Sequence, residues 1–420
     1  YLNAGYAYDN RYLLDANFRS DGSSVFGLSQ QFTTTWAVGL GWNVHNESFF
    51  KGQDWLNYLK LRFSIGNPGN QNFDAYISMN VYGYSTAYPN PLGLSAIIST
   101  WGNNNLKWQK TLDQNYGIDL AFLKSRLKIT VDYFVKTTDP LLVNVQTPTS
   151  TGTSQVPMNI GKQLTEGITA VLNYTILQKE NMNLNFNMNA RHITSEYRNI
   201  GTALDQYNKE NSSSNLTRYY DGGSSSDLWA VRSAGIDPGS GREIFIKKDG
   251  TQTFVHDTDD EVVVGNSTPK LEGVIGASFY YKGFSASVNL RYRLGGQIFM
   301  STLYNKVENI SENDLQYNQD KRALYDRWQK PGDATKFKSI SLTSSTPISS
   351  RFVVDENTLS GESISLGYET SAAWLRHVGV SSMTVRGYMN DIFRLSTVKE
   401  ERGLDYPFAR TVAFSLGIRF

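Results

Sequence analysis

Side chains able to do metal or acid–base chemistry are sparse in this chain of 420 residues, and one acidic cluster stands out. Asp257, Asp259, Asp260 and Glu261 lie close together, with Gly265 after them. A calcium site needs about six to eight oxygen ligands at loop spacing, and this segment offers only part of such a set. We therefore interpret the cluster as a solvated loop and predict no metal ion there.

Histidine and cysteine chemistry is equally limited. The four histidines, His45, His192, His256 and His377, include no pair at metal-ligand spacing. The absence of cysteine excludes disulfides, thiolate zinc sites, iron–sulfur clusters and cysteine nucleophiles. No G-x-S-x-G nucleophile elbow occurs, and GNPGNQN at 66–72 follows a predicted strand without opening a helix, as a phosphate loop would. The sequence predicts neither an enzyme nor a cofactor.

Aromatic side chains in long polar segments are the best candidates for contact with a substrate or a partner. A flat ring stacks on a sugar face or an apolar side chain, and Tyr and Trp are frequent anchors at protein interfaces. The alternative is that each ring packs inside its own loop, because long loops need internal packing to be ordered. The candidates are Tyr84, Tyr219, Tyr220, Trp229, Tyr325 and Trp328.

The elements that carry these loops show apolar and polar residues in strict alternation. Met182, Leu184, Phe186 and Met188, for example, alternate with four asparagines. Successive side chains of a strand point to opposite sides, so such a segment separates two environments. Thirteen segments pass this test, near 2–8, 12–18, 36–44, 59–65, 116–122, 127–135, 168–176, 182–192, 271–281, 284–294, 364–368, 383–389 and 412–420.

Two all-β folds explain the alternation: a soluble sandwich or propeller, and a membrane barrel. Several segments are long enough for a tilted strand to cross a bilayer, and many carry aromatic residues near their ends, where a membrane interface favours them. No run of about 18 apolar residues predicts a transmembrane helix. We therefore predict a transmembrane antiparallel β-barrel whose apolar strand faces, such as Met182 to Met188, meet lipid.

The connections between the segments alternate between short and long. Asp9–Arg11, Lys124–Ser125, Gln178–Asn181 and Lys282–Gly283 are short turns. Barrels of the outer membrane have short periplasmic turns and long extracellular loops, and the chain follows that rule. The predicted extracellular loops are 67–112, 138–165, 194–269 and 295–362.

The net charge is nearly balanced. Forty Lys plus Arg against 39 Asp plus Glu give no electrostatic reason to expect a nucleic-acid partner.

The final segment, TVAFSLGIRF at 411–420, ends in Phe420. A last strand with a terminal aromatic residue resembles the signal that directs outer-membrane proteins to insertion, although any edge strand could end in phenylalanine. Because twelve strands precede it, we interpret Phe420 as this insertion signal and as the true C-terminus.

Several blocks resemble the C-terminal barrel portion of the SusC/RagA family of TonB-linked outer-membrane transporters. They follow the family's order and span nearly the whole chain. The clearest are RYLLDANFRSDGSSVFG at 11–27, QNYGIDLAFLKSRLKITVDYFVKTTDPLL at 114–142, GNSTPKLEGVIGASFYYKGFSASVNLRYRLGGQIF at 265–299 and GLDYPFARTVAFSLGIRF at 403–420.

The resemblance implies a 22-stranded barrel in the outer membrane of a Gram-negative bacterium. It implies import of bulky nutrients such as oligosaccharides or oligopeptides, with a SusD-like surface lipoprotein as partner and energy from TonB acting on an N-terminal plug. A passive porin or an adhesin without energy coupling, and a soluble β-rich binding protein, are the alternatives. Neither a plug nor a TonB-contacting segment is recognisable in these 420 residues.

The strand count has a topological consequence. Thirteen is odd, whereas bacterial single-chain barrels have an even number of strands. An open sheet edge in lipid is costly because its backbone groups lack partners. We therefore expect the first and last strands, 2–8 and 412–420, to pair with polypeptide outside this sequence, namely the plug-bearing N-terminal part with about nine further strands implied by the family.

Overall fold

The computed structural model describes residues 1–22, 32–50, 55–70, 79–91, 93–103, 105–107, 109–341, 344–399 and 410–420. These residues form two compact units, which are described separately. Unit 1 comprises Tyr1–Val171, Ile193–Glu210 and Tyr219–Ser225; unit 2 comprises Leu172–His192, Asn211–Arg218 and Ser226–Phe420.

Extended strands dominate both units. Their bounds are β1 Leu2–Tyr8, β2 Tyr12–Gly22, β3 Phe32–Asn43, β4 Leu56–Gly66, β5 Gly69–Asn70, β6 Val81–Asn90, β7 Gly93–Thr100, β8 Gln109–Phe122, β9 Leu127–Asp139, β10 Leu142–Gln146, β11 Gln155–Asn159, β12 Lys162–Lys179, β13 Met182–Arg198, β14 Asp227–Ile236, β15 Glu243–Ile246, β16 Gln252–Thr253, β17 Glu261–Asn266, β18 Leu271–Tyr281, β19 Phe284–Phe299, β20 Val353–Thr370, β21 Ser382–Ser396 and β22 Val412–Arg419.

Helices are short and lie between strands. The α-helices are α1 Asp205–Asn211, α2 Ser301–Leu303, α3 Arg322–Tyr325 and α4 Ala373–Arg376, and a π-helical turn spans Tyr304–Glu308. The 3₁₀ turns are Val44–Asn46, Ser48–Phe50, Thr149–Thr151, Thr258–Asp260, Glu312–Gln316 and Ser350–Phe352. None of the described helices is long and apolar enough to cross a membrane.

Unit 1 is built on an antiparallel sheet in the order β1-β2-β3-β4-β8-β9-β12. Its register places apolar residues of successive strands side by side: Tyr8 opposite Tyr12, Tyr12 opposite Trp42, and Trp42 opposite Leu61. The hairpin of β12 and β13 contributes residues to both units.

Unit 2 is also built on antiparallel strands, in the order β13-β18-β19-β20-β21-β22. One apolar row runs across four of its strands, because Leu184, Phe279, Ala286 and Leu366 are successive partners. The adjacent row is polar and contains Asn185, Ser278, Ser287 and Ser365. All thirteen predicted segments are strands of these sheets, so the predicted antiparallel all-β architecture is confirmed.

The polar face of unit 1 is organised by Arg62 on β4. Its Nε donates to Asp119 Oδ2 at 2.7 Å, and its Nη2 lies 2.9 Å from Asp132 Oδ1. Thr130 Oγ1 donates to Asp119 as well. Gly117 faces this cluster, where an added Cβ would lie 2.7 Å from the Arg62 guanidinium carbon. A larger residue there would push the ends of the Arg62 and Asp132 side chains aside.

The alternating part of β13, residues 182–189, buries neither of its faces. Met182, Leu184, Phe186 and Met188 are half-exposed, and the intervening asparagines are half-exposed or exposed. Exposure alone therefore does not distinguish the two sides, and the lipid-facing orientation of the methionine face stays a prediction. The register does distinguish them, since the apolar side chains align with apolar rows of β18 and the asparagines with polar rows.

A two-residue turn joins β18 to β19. Its residues, Lys282 and Gly283, have φ angles of 44° and 92°. Positive φ at both central positions is the pattern of a type I′ hairpin turn, and glycine adopts it without strain. An added Cβ on Gly283 would also collide with the carbonyl oxygen of Glu369, so the close approach of the next strand requires glycine.

Strands extend well beyond the alternating segments and shorten the long links. The links run over 67–108, 140–161, 199–270 and 300–352, and each contains further structure. Hairpins β6–β7 and β10–β11 occupy the first two links, and a four-stranded sheet with the order β16-β15-β14-β17 occupies the third. The alternation test misses these extensions. Where a strand leaves an apolar environment, both of its faces can be polar, so apolar and polar residues no longer alternate.

The two outermost strands each retain an open side. Among the described residues, β1 is hydrogen-bonded to β2 alone and β22 to β21 alone. The sheets therefore present two edges, as the odd strand count predicts. Phe420 follows β22 and is exposed; its role in insertion stays a prediction.

The facing of β20 can be tested with two adjacent arginine substitutions in the intact protein. Ile364 belongs to an apolar row, between Val288 and Met389, whereas Ser363 lies on the polar face and accepts from Asn289 Nδ2 at 3.0 Å. We expect Ile364→Arg to cost about 2–4 kcal/mol in lipid bilayers, measured by urea unfolding, because a cation near the bilayer midplane is destabilising. Ser363→Arg is the matched control and should cost much less; equal costs would contradict the assignment.

Candidate functional site

The two longest links of unit 2 pack against each other. Residues 226–270 carry the four-stranded sheet, and residues 300–352 carry α2, α3 and irregular turns. They meet at a parallel bridge between Val231 and Ser349, and Ser233 N donates to Ser350 Oγ at 2.9 Å. These segments are therefore parts of one folded body, called the loop module here: residues 226–270 and 300–352.

An apolar core stabilises the second segment of the loop module. Val307, Ile310, Ala323, Phe337 and Phe352 are buried together. Phe299, Leu303 and Tyr304 pack on this cluster, with edge-to-face contact between Tyr304 and Phe352. The prediction that loops of this length would require internal packing is confirmed for this segment.

A buried ionic network links the two segments. Arg351 Nη2 lies 3.0 Å from Glu243 Oε2 and 2.9 Å from Glu308 Oε1. The side chains of Glu308, Glu243 and Arg351 are 0%, 3% and 11% exposed. Ser349 donates to Glu243 and Thr346 to Glu308, so the carboxylates also have hydroxyl partners. Glu243 comes from the first segment and the other two charges from the second, so the network holds the segments in one arrangement.

Two further arginines satisfy buried groups around this network. Arg218 makes a two-pronged pair with Glu261, with both N–O distances at 2.8 Å. Arg327 donates to the backbone carbonyls of Val307, Glu308, Ala323 and Lys338. Burial lowers the pKa of Arg327. Because carbonyls carry no full charge, Arg327 is a buried cation that has no ion-paired carboxylate among the described residues.

A cleft of about 300 Å³ opens between the two segments of the loop module. Glu243, Phe245 and His256 line it from the first segment, and Lys338 and Thr346 from the second. His256 packs edge-to-face on Phe245, with ring centroids 5.2 Å apart. Burial is the main cause that lowers the pKa values of both His256 and Lys338. Titratable groups with shifted pKa values in a concave site are features of binding and catalytic sites.

Three of the six candidate aromatic residues lie in the loop module. Trp328 Nε1 donates to the Pro238 carbonyl at 2.8 Å, and its ring covers Gly241, so it joins the two segments. Trp229 is half-buried in β14, opposite Val263 of β17. Tyr325 ends α3 and is 73% exposed. The three rings therefore do not form one site.

The other three candidates belong to unit 1. Tyr219 packs between Tyr197 and Tyr207, with ring centroids 5.4 Å away in each case, and burial raises its pKa. Tyr220 is 37% exposed. Tyr84 on β6 is 83% exposed, the most open of the six. Packing accounts for Tyr219, while Tyr84, Tyr220 and Tyr325 offer accessible rings.

The acidic cluster has structural contacts. Asp257 accepts from the backbone N–H of Asp259, Asp260 accepts from that of Lys248 at 3.0 Å, and Glu261 is paired with Arg218. Across the described residues, no group of three or more His, Asp and Glu side chains is placed to hold a metal ion.

The sequence did not reveal the residues of the ionic network or the cleft. Glu243 and Arg351 are separated by 108 positions, and Glu308 and Arg351 by 43. No local spacing signals a contact of that kind. The one signal in the sequence was composition. These segments contain charged as well as apolar residues, and charged residues in such a segment can become buried ion-pair partners.

Removal of the central cation should loosen the loop module without unfolding the sheets. Arg351→Met leaves Glu243 and Glu308 buried without a counter-ion, which costs about 3–5 kcal/mol for broken buried pairs. We expect faster protease cleavage within 300–352 in the intact protein, with the heat-modifiable mobility of the barrel retained. Arg376→Met, an exposed arginine of α4, is the control; cleavage at the wild-type rate in Arg351→Met would refute the role of the network.

His256 should make the loop module sensitive to acid. Burial depresses its pKa below the ordinary 6.5, against the opposing influence of the Ile348 backbone, Glu243, Glu261 and Asp257. The unfolded segment then binds more protons, so stability is complete above about pH 6.5 and falls as the pH drops toward the folded pKa. We expect hydrogen exchange around 252–263, corrected for intrinsic rates, to be faster at pH 5.5 than at pH 7.5. His256→Phe should remove this difference; its persistence would assign the effect to another group.

Comparison with known proteins places the chain in a family. The family model described as "TonB dependent receptor-like, beta-barrel" matches residues 1–318. TonB-dependent receptor P39 of Formosa agariphila is 27% identical over 94% of this chain and 42% of its own length. TonB-dependent receptor SusC of Bacteroides thetaiotaomicron is 26% identical over 98% of this chain and 42% of its own length.

Solved structures agree with the fold. The RagAB peptide transporter superposes with a TM-score of 0.81 at 22% identity, over 94% of this chain and 43% of that one. The RagAB peptide importer in the open-open state gives 0.80 at 21% identity, over 99% and 46%. The chain thus spans less than half the length of these relatives. From the family match and the antiparallel sheets, we conclude that this chain belongs to the TonB-dependent receptor β-barrel family of the outer membrane.

Proposed function

We propose that the protein containing this chain imports a bulky nutrient across the outer membrane, with energy supplied through TonB. The observation that carries the proposal is the family match over residues 1–318, together with relatives named TonB-dependent receptors. In this proposal the chain supplies part of the barrel wall and its long extracellular loops. The chain has no catalytic role.

The partner in this proposal is a SusD-like surface lipoprotein, and TonB acts on a plug segment outside this chain. The relation to SusC and to the RagAB structures supports both parts. The RagAB proteins are named as peptide transporters, and oligosaccharides and oligopeptides are the cargo classes we propose here. The loop module supports a docking role, because a network of buried ion pairs gives it one fixed shape.

Three aromatic side chains are proposed as contacts to the lipoprotein or the cargo: Tyr84, Tyr220 and Tyr325. They are exposed, and large aromatic residues on loops anchor interfaces and stack on sugars. Tyr219, Trp229 and Trp328 are proposed to act through packing, because each is half-buried: Tyr219 against Tyr197, Trp229 in β14, and Trp328 against Pro238 of the other segment of the loop module.

Energy coupling separates this proposal from a passive porin. In cells whose only importer is the intact protein, uptake of labelled oligosaccharide and oligopeptide mixtures should fall to background when TonB is depleted. Because a porin conducts by diffusion, its uptake would persist without TonB. Cells that bind the mixtures without uptake in either condition would instead indicate an adhesin.

A further inference from the structure

The cleft of the loop module has a floor whose polar groups are already engaged. Glu243 Oε1 accepts from Ser349 Oγ at 2.6 Å, and Glu243 Oε2 faces Arg351. Thr346 Oγ1 donates to Glu308 at 3.0 Å. The carboxylates beneath the cleft are therefore held by the ionic network and are not offered to a ligand.

The cations around the floor differ in their partners. Arg351 pairs with both carboxylates, and Arg327 is surrounded by carbonyls. Within the described part of the chain, no carboxylate lies at ion-pair distance from Lys338. Burial lowers the pKa of Lys338 and outweighs the opposing attraction of Glu308 and Glu243, so these two carboxylates compensate the half-buried ammonium only in part.

The walls of the cleft supply additional polar and aromatic surface. Arg242 lies at the cleft with its guanidinium 4.9 Å from the Phe254 ring centre, which keeps a second positive charge near the opening. His256 Nε2 is buried and has no hydrogen-bond partner among the described residues. A volume of about 300 Å³ is enough for one sugar or amino-acid residue.

We propose that this cleft binds a single carboxylate group carried by the cargo, with Lys338 as its counter-ion. A carboxylate supplies the ion-pair partner that Lys338 lacks among the described residues, and a charge-assisted hydrogen bond from the ammonium fixes the group in place. The inference rests on the proposed importer function, since it assigns the cleft to cargo. Uronic acid units of oligosaccharides and acidic residues of peptides both present this carboxylate.

Binding to the intact transporter, purified with any lipoprotein that accompanies it, tests the inference. Two pairs of probes are titrated calorimetrically at pH 7. The first pair is digalacturonic acid and its carboxyl-reduced counterpart; the second is Ala-Glu-Ala and Ala-Gln-Ala, each blocked at both ends. We expect the acidic member of at least one pair to bind about tenfold or more tightly than its neutral partner, as a hydrogen-bonded charge pair provides. The pair that shows the preference identifies the source of the carboxylate.

Substitutions at Lys338 assign the preference to the cleft. Lys338→Met should abolish it and Lys338→Arg should retain most of it. Lys336→Met removes the same charge from an exposed side chain two positions away and should leave it unchanged. Failure of both acidic probes to bind, equal binding of neutral and acidic members, or a preference that survives in Lys338→Met would each overturn the inference.

A separate measurement keeps this result distinct from the proposed function. TonB-dependent uptake of the labelled mixtures is followed in the same Lys338→Met strain. Uptake that depends on TonB, combined with no acidic preference in the wild type, overturns the carboxylate site alone. Uptake that ignores TonB overturns the importer, whatever the cleft binds.

Discussion

The requirement that every backbone N–H and C=O in lipid find a partner determines most of this structure. In a strand those partners lie on neighbouring strands, so the sheets must be continuous and antiparallel neighbours must stay in register. The register then aligns apolar side chains into rows, such as Leu184, Phe279 and Leu366, and polar side chains into the rows between them. Ion pairs on the polar side, including Arg62 with Asp119, follow from the same alternation, because that face can be wet. Among the described residues, β1 and β22 each leave one edge of these sheets without a partner strand.

Beyond the sheets the constraint changes, and so do the interactions that stabilise the chain. The loop module has a small apolar core around Val307 and Phe352, and its two segments are joined by charges with very low exposure. A buried ion pair contributes little net stability, yet the loss of one partner is expensive, so such pairs specify one arrangement over others. In the proposed function, where this surface receives a partner or a cargo, a single arrangement reduces the conformational entropy lost on binding.

The cleft is a consequence of this single arrangement of the loop module. Glu243 and Glu308 face inward because Arg351 lies between them, and their hydroxyl partners complete the floor. Lys338, placed above the floor by the same segment that carries Arg351, has no comparable partner in the described residues. The concave site thus combines a fixed floor with a half-buried ammonium that has no ion-pair partner among the described residues, and this distinguishes it from the exposed rings of Tyr84 and Tyr325.

The sequence by itself determined the sheets and the family, because both depend on local patterns. Period-two alternation is a property of neighbouring residues, and it located all thirteen strands, with β1 and β18 at their observed bounds. The strand ends beyond the alternating segments were missed, since polar residues on both faces carry no period. Only the tertiary structure decided the loop module, because Glu243 meets Arg351 across 108 positions and Trp328 meets Pro238 across 90. Such contacts arise from chain folding over long distances, and residue types alone could not tell a packed ring such as Tyr219 from an exposed one such as Tyr84.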